Sequence, residues 1–458
     1  MIVRLLLLAG SLALASCAPV PRQHVAERGE YIPSRLPPMK TFTRSGAQAP
    51  ERSNSSIAND FLDLSFQLES GRTLPVFTRF EGPVTVRVTG NAPASLDADL
   101  TRLLARLRTE AGIDITRIAP GRPAGINIEL VTRTQLQRAV PQAACFVVPR
   151  VASWAEFRRN RRGAMTDWTT LRSRERMSVF IPRDVSPQEV RDCLHEEMAQ
   201  ALGPLNDLYH LTDSVFNDDN FHTVLTGFDM LILRATYAPE LRSGMTRADV
   251  AATLPGVLAR LNPKGAQIQE RPRGRTSRAW INAIEGALGP QNTMEARQGA
   301  AKRAVHIAGD EGWDDNRLAF SLFALGRLSL GADPELALNA FLKASNIYAS
   351  DPSTVLHEAH IAMQLAAFAL SSDQAGTAIA IVDRSLPSVR QAENAALLGS
   401  LLLVKSEALD AMGRPDEAAR LRRESLGWAR YGFGTDAEVR KRAGEIAALN
   451  PNSRQDRT

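Results

Sequence analysis

Three turn-like segments recur at an almost constant interval near the C-terminal end, and that spacing limits what the chain can fold into. Gly331-Ala332-Asp333-Pro334-Glu335-Leu336-Ala337, Ser372-Asp373-Gln374-Ala375-Gly376-Thr377-Ala378 and Gly413-Arg414-Pro415-Asp416-Glu417-Ala418 align on alanines 337, 378 and 418, steps of 41 and 40 residues. A period near 40 residues is the signature of stacked helical hairpins, none of which can bury its apolar face alone. The stretch from 290 to 448 is Ala/Leu-rich and carries no strand signals. It is expected to be helical throughout, either as such a stack or as an irregular bundle, which an Ala/Leu pattern also permits.

Leu325-Gly326 ahead of the first turn, with Ala337 and Phe341 after it, resembles a tetratricopeptide unit. Residues 56 to 260 are patterned differently. Ile57 to Leu68 reads as a helix, and Val84, Val86 and Val88 alternate with polar residues in a half-buried strand. Ser95 is read as the cap of a helix with Leu96, Leu100, Leu103, Leu104 and Leu107 on one face, stopped by Gly112. Ile126–Val131, Cys145–Val148 and Met177–Ile181 read as three more strands. Ser186-Pro187-Gln188-Glu189 then starts a helix whose apolar stripe is Val190, Leu194, Met198 and Leu202, with Gly203-Pro204 ending it. The fold class expected is α+β: a mixed α/β domain followed by an all-α region of helical hairpins.

The candidate chemistry lies at the end of that helix, where residues 193–207 read Cys-Leu-His-Glu-Glu-Met-Ala-Gln-Ala-Leu-Gly-Pro-Leu-Asn-Asp. A zinc-protease helix, His-Glu-x-x-His, needs a second His one turn after the first so that both imidazoles share a face. From His195 that position is Ala199, so the register fails. Shifted by one, Glu196-Glu197-x-x-Gln200-x-x-Gly203-x-x-Asn206-Asp207 resembles the extended metzincin pattern His-Glu-x-x-His-x-x-Gly-x-x-His. The resemblance puts Glu197 at the general-base position and Glu196, Gln200 and Asn206 at the ligand positions, with Asp207 beside them. Amide oxygens are poor zinc ligands, so the set suits a hard cation such as Ca²⁺, or no metal. No cofactor and no bound metal are expected. Cys-x-x-Glu-Glu-x-x-Gln-x-Leu-Gly, Asp213-Ser214-Val215-Phe216-Asn217-Asp218 and the stretch from Asp229 to Gly244-Met245 resemble an uncharacterised proteobacterial lipoprotein family, known only as a domain of unknown function, over residues 60 to 260. That resemblance implies a zincin-like fold and no established activity.

Other constellations are weaker. His195, His210 and His222 have no ligand spacing, Asp213 and Asn217–Asp219 lack the glycine of an EF-hand loop, and Arg158-Arg159-Asn160-Arg161-Arg162 reads as a solvated basic loop or an anion-binding one. A net charge of +5 spread over 458 residues predicts no nucleic-acid partner. With 44% hydrophobic and 23% charged residues, the chain is neither wholly disordered nor a polytopic membrane protein.

The N-terminal sequence MIVRLLLLAGSLALASC resembles a lipoprotein signal, residues 1–17: a basic residue, an apolar run too short to span a bilayer, and Leu14-Ala15-Ser16-Cys17 as the lipobox. Acylation of Cys17 implies membrane anchoring on the periplasmic side, and Ala18 favours the outer membrane. Pro-rich residues 18–55 are expected to be a tether and 449–458 a disordered tail. Cys145 and Cys193 are expected to form a disulfide, the alternative being two buried thiols. Together these features suggest a non-catalytic envelope lipoprotein that binds protein or cell-wall partners, with a protein partner on the helical repeats. The alternative is a hydrolase using Glu197. Cys17→Ser should move the protein from the membrane fraction to the soluble one; a variant that still sediments fully with membranes would refute the lipobox.

Overall fold

The structure is a computed structural model that describes residues 35–43, 48–269, 274–289 and 291–452. Cys17, the signal segment and residues 18–34 of the expected tether lie outside the described residues. The first region runs α1 (Asn54–Phe66), β1 (Val84–Thr89), α2 (Ser95–Glu110), β2 (Ile115–Arg117), β3 (Ile126–Val131), α3 (Arg133–Ala139), β4 (Phe146–Pro149), α4 (Trp154–Asn160), β5 (Met177–Pro182), α5 (Pro187–Leu202), α6 (Gly227–Thr236) and α7 (Arg247–Leu261). Its strands form one sheet in the order β2-β1-β3-β5-β4, parallel except for β4, which lies antiparallel on the edge. β1 alternates buried Val with half-buried Thr and Arg, as its period-two pattern requires. Every residue of β5 is buried, because it is paired on both edges and covered on both faces.

Ser186 caps α5 by accepting the Glu189 N–H, and Val190, Leu194, Met198 and Leu202 are all fully buried against the sheet. Ser95 does not cap α2. It is the first helical residue after Ala94, and its hydroxyl is buried without a partner. The three-residue β2 and the short helices α3 and α4 were not legible from periodicity, since each is too short to establish a period. Cys145 and Cys193 are joined by a disulfide that ties the start of β4 to α5.

The second region is all α: α8 (Arg278–Leu288), α9 (Met294–Asp310), α10 (Asn316–Ser329), α11 (Pro334–Ala349), α12 (Val355–Ser371), α13 (Ala375–Gln391), α14 (Ala395–Ala411), α15 (Pro415–Phe433) and α16 (Asp436–Ala447). The three recurring segments are the turns inside the hairpins α10–α11, α12–α13 and α14–α15. Gly326 sits where α10 meets α11; a Cβ there would lie 2.6 Å from the Phe341 ring. The first helices of the hairpins face the α+β region. Phe221 packs 5.8 and 5.5 Å from Phe320 and Phe323 of α10 and 4.7 Å from His357 of α12. Tyr209 meets Trp280 of α8 edge-on at 5.0 Å. The 204–226 loop thus fills the inner face of the helical stack.

Two segments expected to hang free are docked. Residues 35–43, within the expected tether, lie along α15: Lys40 N–H donates to the Gly427 carbonyl at 2.9 Å, and Phe42 stacks on Trp428 at 4.5 Å. At the other end, Asn450 of the expected tail is buried and donates to the Glu407 carbonyl. The apolar Leu36 and Phe42 and the hydrogen-bonding Asn450 give these segments enough to pack. Residues 453–458 lie outside the described residues.

Arg191 of α5 joins the two regions. It is 1% exposed, and its guanidinium donates to the Glu393 carbonyl at 2.7 Å, pairs with the Glu393 carboxylate at 3.4 Å and reaches Thr223. Glu393, between α13 and α14, has φ 53°, in the left-handed region, to present both groups. Removing one partner of such a buried pair strands the other charge, so Glu393→Ala should cost about 3–5 kcal/mol in urea denaturation. Pairing it with Arg191→Leu should return most of that loss; equal losses in the single and double variants would mean the pair is not what joins the regions.

Candidate functional site

The last turn of α5 is shaped by a residue far from it in sequence. Arg174, 2% exposed, donates from its two terminal nitrogens to the carbonyls of Gln200 and Gly203 and from Nε to Thr78 Oγ1 at 3.2 Å. These carbonyls have no intrahelical donor, and a cation at a helix C-terminus also complements its dipole. Burial pushes the Arg174 pKa down to about 10, which leaves it charged. Gly203 is needed for contact: a Cβ there would approach Thr236 to 2.9 Å.

With its end held this way, α5 places the half-buried Glu196 and the buried Glu197 beside β4, the turn after α1 and the 204–220 loop. Arg150 N–H donates to the Arg176 carbonyl, and the antiparallel alternation then leaves the Val147 N–H on the outer edge of β4. Glu197 accepts that N–H. It thereby blunts the exposed edge, where Pro149 offers no donor. Its other oxygen, Oε2, is buried without a partner, and the residue is 3% exposed. Glu69 and Asp207 share a side-chain hydrogen bond, and Asp207 Oδ1 is also buried without a partner. Tyr209 donates its hydroxyl to Asp218 at 2.9 Å.

The carboxyls raise one another's proton affinity. Burial pushes Glu196 up to about 8, reinforced by Asp218, Glu69 and Asp192. Burial, with Glu196 and Glu69 nearby, raises Glu197 well above the usual carboxylate range, and Asp207 is raised for the same reason by burial, Glu69 and Glu196. Asp218, at the exposed side of the group, is raised to about 6 by desolvation and by the charges of Glu69, Glu285 and Asp219. Raised to about 8, Glu196 carries its proton at neutral pH and can donate a hydrogen bond or release a proton.

Of the expected residues, Glu196, Glu197 and Asp207 lie close enough to raise one another's proton affinity. Gln200 is buried, and Asn206 donates to the Asp63 carbonyl at 3.2 Å. Gln200 and Asn206 offer amides where zinc needs imidazole or thiolate. Among the described residues no group of three or more His, Cys, Asp or Glu side chains is placed to hold a metal. The histidines also diverge: His195 accepts the Leu225 N–H, His210 meets Asp60 at 2.8 Å, and His222 meets the Thr212 carbonyl. Burial and the nearby Arg191 hold His195 well below the usual imidazole range, hence neutral. Asp213, Asn217 and Asp219 are occupied within the structure, by Arg52, by the Leu211 carbonyl and by His357 respectively. Glu69 had no sequence signal; only the return of the chain after α1 brings it to Asp207.

The sheet, the disulfide between β4 and α5 and the acidic cluster define an α+β domain joined to helical hairpins. Residues 54–256 match the family described as Protein of unknown function (DUF2927), so the α+β region is a DUF2927 domain. No curated protein matches the chain.

A carboxyl whose pKa rises on folding costs nothing while protonated in both states, and destabilises the fold as pH climbs from its unfolded value through its folded one. For Glu196 that window runs from 4.5 to about 8. Glu196→Gln, which cannot ionise, should gain in Tm over the parent progressively across this window. A Tm difference that stays constant with pH would show that ionisation of Glu196 is not coupled to folding.

Proposed function

We propose that the chain is a lipid-anchored envelope lipoprotein whose DUF2927 domain is a zincin-like module that has exchanged metal catalysis for binding. The single observation that carries this reading is Asn206. In the third ligand position of the metzincin-like register it holds an amide, and that amide is spent on the Asp63 carbonyl. The sheet supports the zincin-like part of the reading, with its one antiparallel edge strand lying beside the helix that bears Glu197. Among the described residues no helix is long and apolar enough to cross a membrane, so membrane attachment rests on Cys17 in this reading.

The partner is a protein. The inner face of the hairpins is filled by the 204–226 loop, so a partner engages their outer side, where Leu330, Leu342 and Met412 are exposed. A second reading, a hydrolase using Glu197, is favoured by the raised proton affinity and free Oε2 of that residue. Activity separates the two. The purified full chain should cleave neither casein nor peptidoglycan sacculi. Cleavage by the parent that Glu197→Gln abolishes would overturn the binding reading and establish the hydrolase.

A further inference from the structure

Between β4 and β5 the chain makes a flap, residues 150–176, built from α4 and two short 3₁₀ turns. The flap contains eight Arg and three acidic residues, Glu156, Asp167 and Glu175, so its formal charge of +5 equals that of the entire chain. The diffuse basicity of the sequence is therefore a local charge in the fold. Arg174 is consumed at the end of α5. The others stay near the surface, and Arg158, Arg159, Arg162 and Arg172 make no ion pair or hydrogen bond among the described residues.

Beneath the flap, at the leading ends of β1, β3 and β5, opens a cleft of about 690 Å³. Thr85, Gly125, Arg150, Arg172, Ser173 and Arg176 line it. Two of the three guanidinium groups are fixed in place. Arg150 donates to the Ala164 carbonyl at 3.1 Å and Thr170 Oγ1 at 2.8 Å, and Arg176 Nε donates to the Arg150 carbonyl at 3.0 Å. Arg150 does this from φ 64°, the left-handed region that a non-glycine residue adopts only when its surroundings enforce it. Arg172 is exposed, and its guanidinium makes no hydrogen bond or ion pair among the described residues. The one acid in the lining, Glu175, is engaged by the Ser173 hydroxyl at 3.3 Å.

A concave volume of this size fits a small organic ligand better than a single ion. Arg, with its planar fork of donors, is the side chain best matched to phosphate oxygens, and clustered positive charge in a cleft concentrates anions there. We propose that this cleft binds a phosphate-bearing anion, presented by a phospholipid headgroup or by a soluble phosphate compound. The site uses none of the residues of the acidic cluster and stands whether or not that cluster binds or catalyses.

The test uses the full chain carrying Cys17→Ser, so that no acyl group contributes to membrane binding. Binding is measured by calorimetry with inorganic pyrophosphate, and by co-sedimentation with vesicles of equimolar phosphatidylglycerol and phosphatidylcholine. Arg172→Glu replaces a free guanidinium in the cleft and should weaken binding about tenfold or more, the scale of one lost charge-assisted hydrogen bond. Arg159→Glu makes the same charge change on the outside of the flap and should weaken it much less. Vesicle binding without pyrophosphate binding assigns the cleft to a lipid headgroup, and pyrophosphate binding without vesicle binding assigns it to a soluble phosphate compound. Absence of both, no loss in Arg172→Glu, or equal loss in the two variants overturns the proposal.

Discussion

The buried guanidinium of Arg191 is the contact on which the arrangement of this protein depends. It projects from α5, the helix that carries the acidic pair, into the seam with the helical hairpins, where Glu393 receives it. It also lies over the Tyr431 ring at 5.3 Å and 5.9 Å from the Phe42 ring. One side chain thus touches α5, the turn between α13 and α14, α15 and the 35–43 segment. A charge taken this far out of water needs partners, and the carbonyl and carboxylate of Glu393, the Thr223 hydroxyl and the neighbouring Asp192 supply them, which favours one relative position of these elements. Tyr431 to Asp99 at 2.8 Å and Gln188 to Asn394 at 3.2 Å repeat the connection on either side.

That seam explains the acidic cluster. Without the hairpins the 204–226 loop would lose the aromatic cover of Trp280, Phe320 and Phe323, and the half-buried Asp207 would lie further into water. Clamped between sheet and hairpins, the loop brings Asp207 against Glu69 and near Glu196, and burial then drives their proton affinities upward. The same loop occupies the inner face of the hairpins, the surface on which a stack of this kind would otherwise receive a partner. The helical region serves the domain first as a buttress.

Much of this was legible in the chain. The period of 40–41 residues located the hairpin turns because a repeat carries its punctuation wherever it packs. The cap at Ser186 and the stop at Gly203 bounded α5 because those signals are local to the helix ends. A disulfide between Cys145 and Cys193 was one of two readings, the other being two buried thiols, and the structure shows the disulfide. Other features were not legible. The metzincin-like spacing put Glu196 and Glu197 side by side on α5 but gave no sign that the Asn206 amide is spent on the Asp63 carbonyl, since spacing gives helical phase and not where a side chain finds its hydrogen bond. Leu36 and Phe42 were hidden in a Pro-rich run that read as a tether.

The sequence by itself determined the class of each region, the bounds of α5, the positions of the hairpin turns and the presence of paired carboxylates on α5. These depend on short-range periodicity, capping and composition, which act within a few residues of one another. Only the tertiary structure decided that Glu69 and Asp218 complete the acidic group, that Arg174 ends α5, and that Arg150, Arg172 and Arg176 line one cleft. Burial and charge proximity are properties of space, and the residues involved, such as Arg174 and Gly203 or Arg191 and Glu393, are joined by no local pattern.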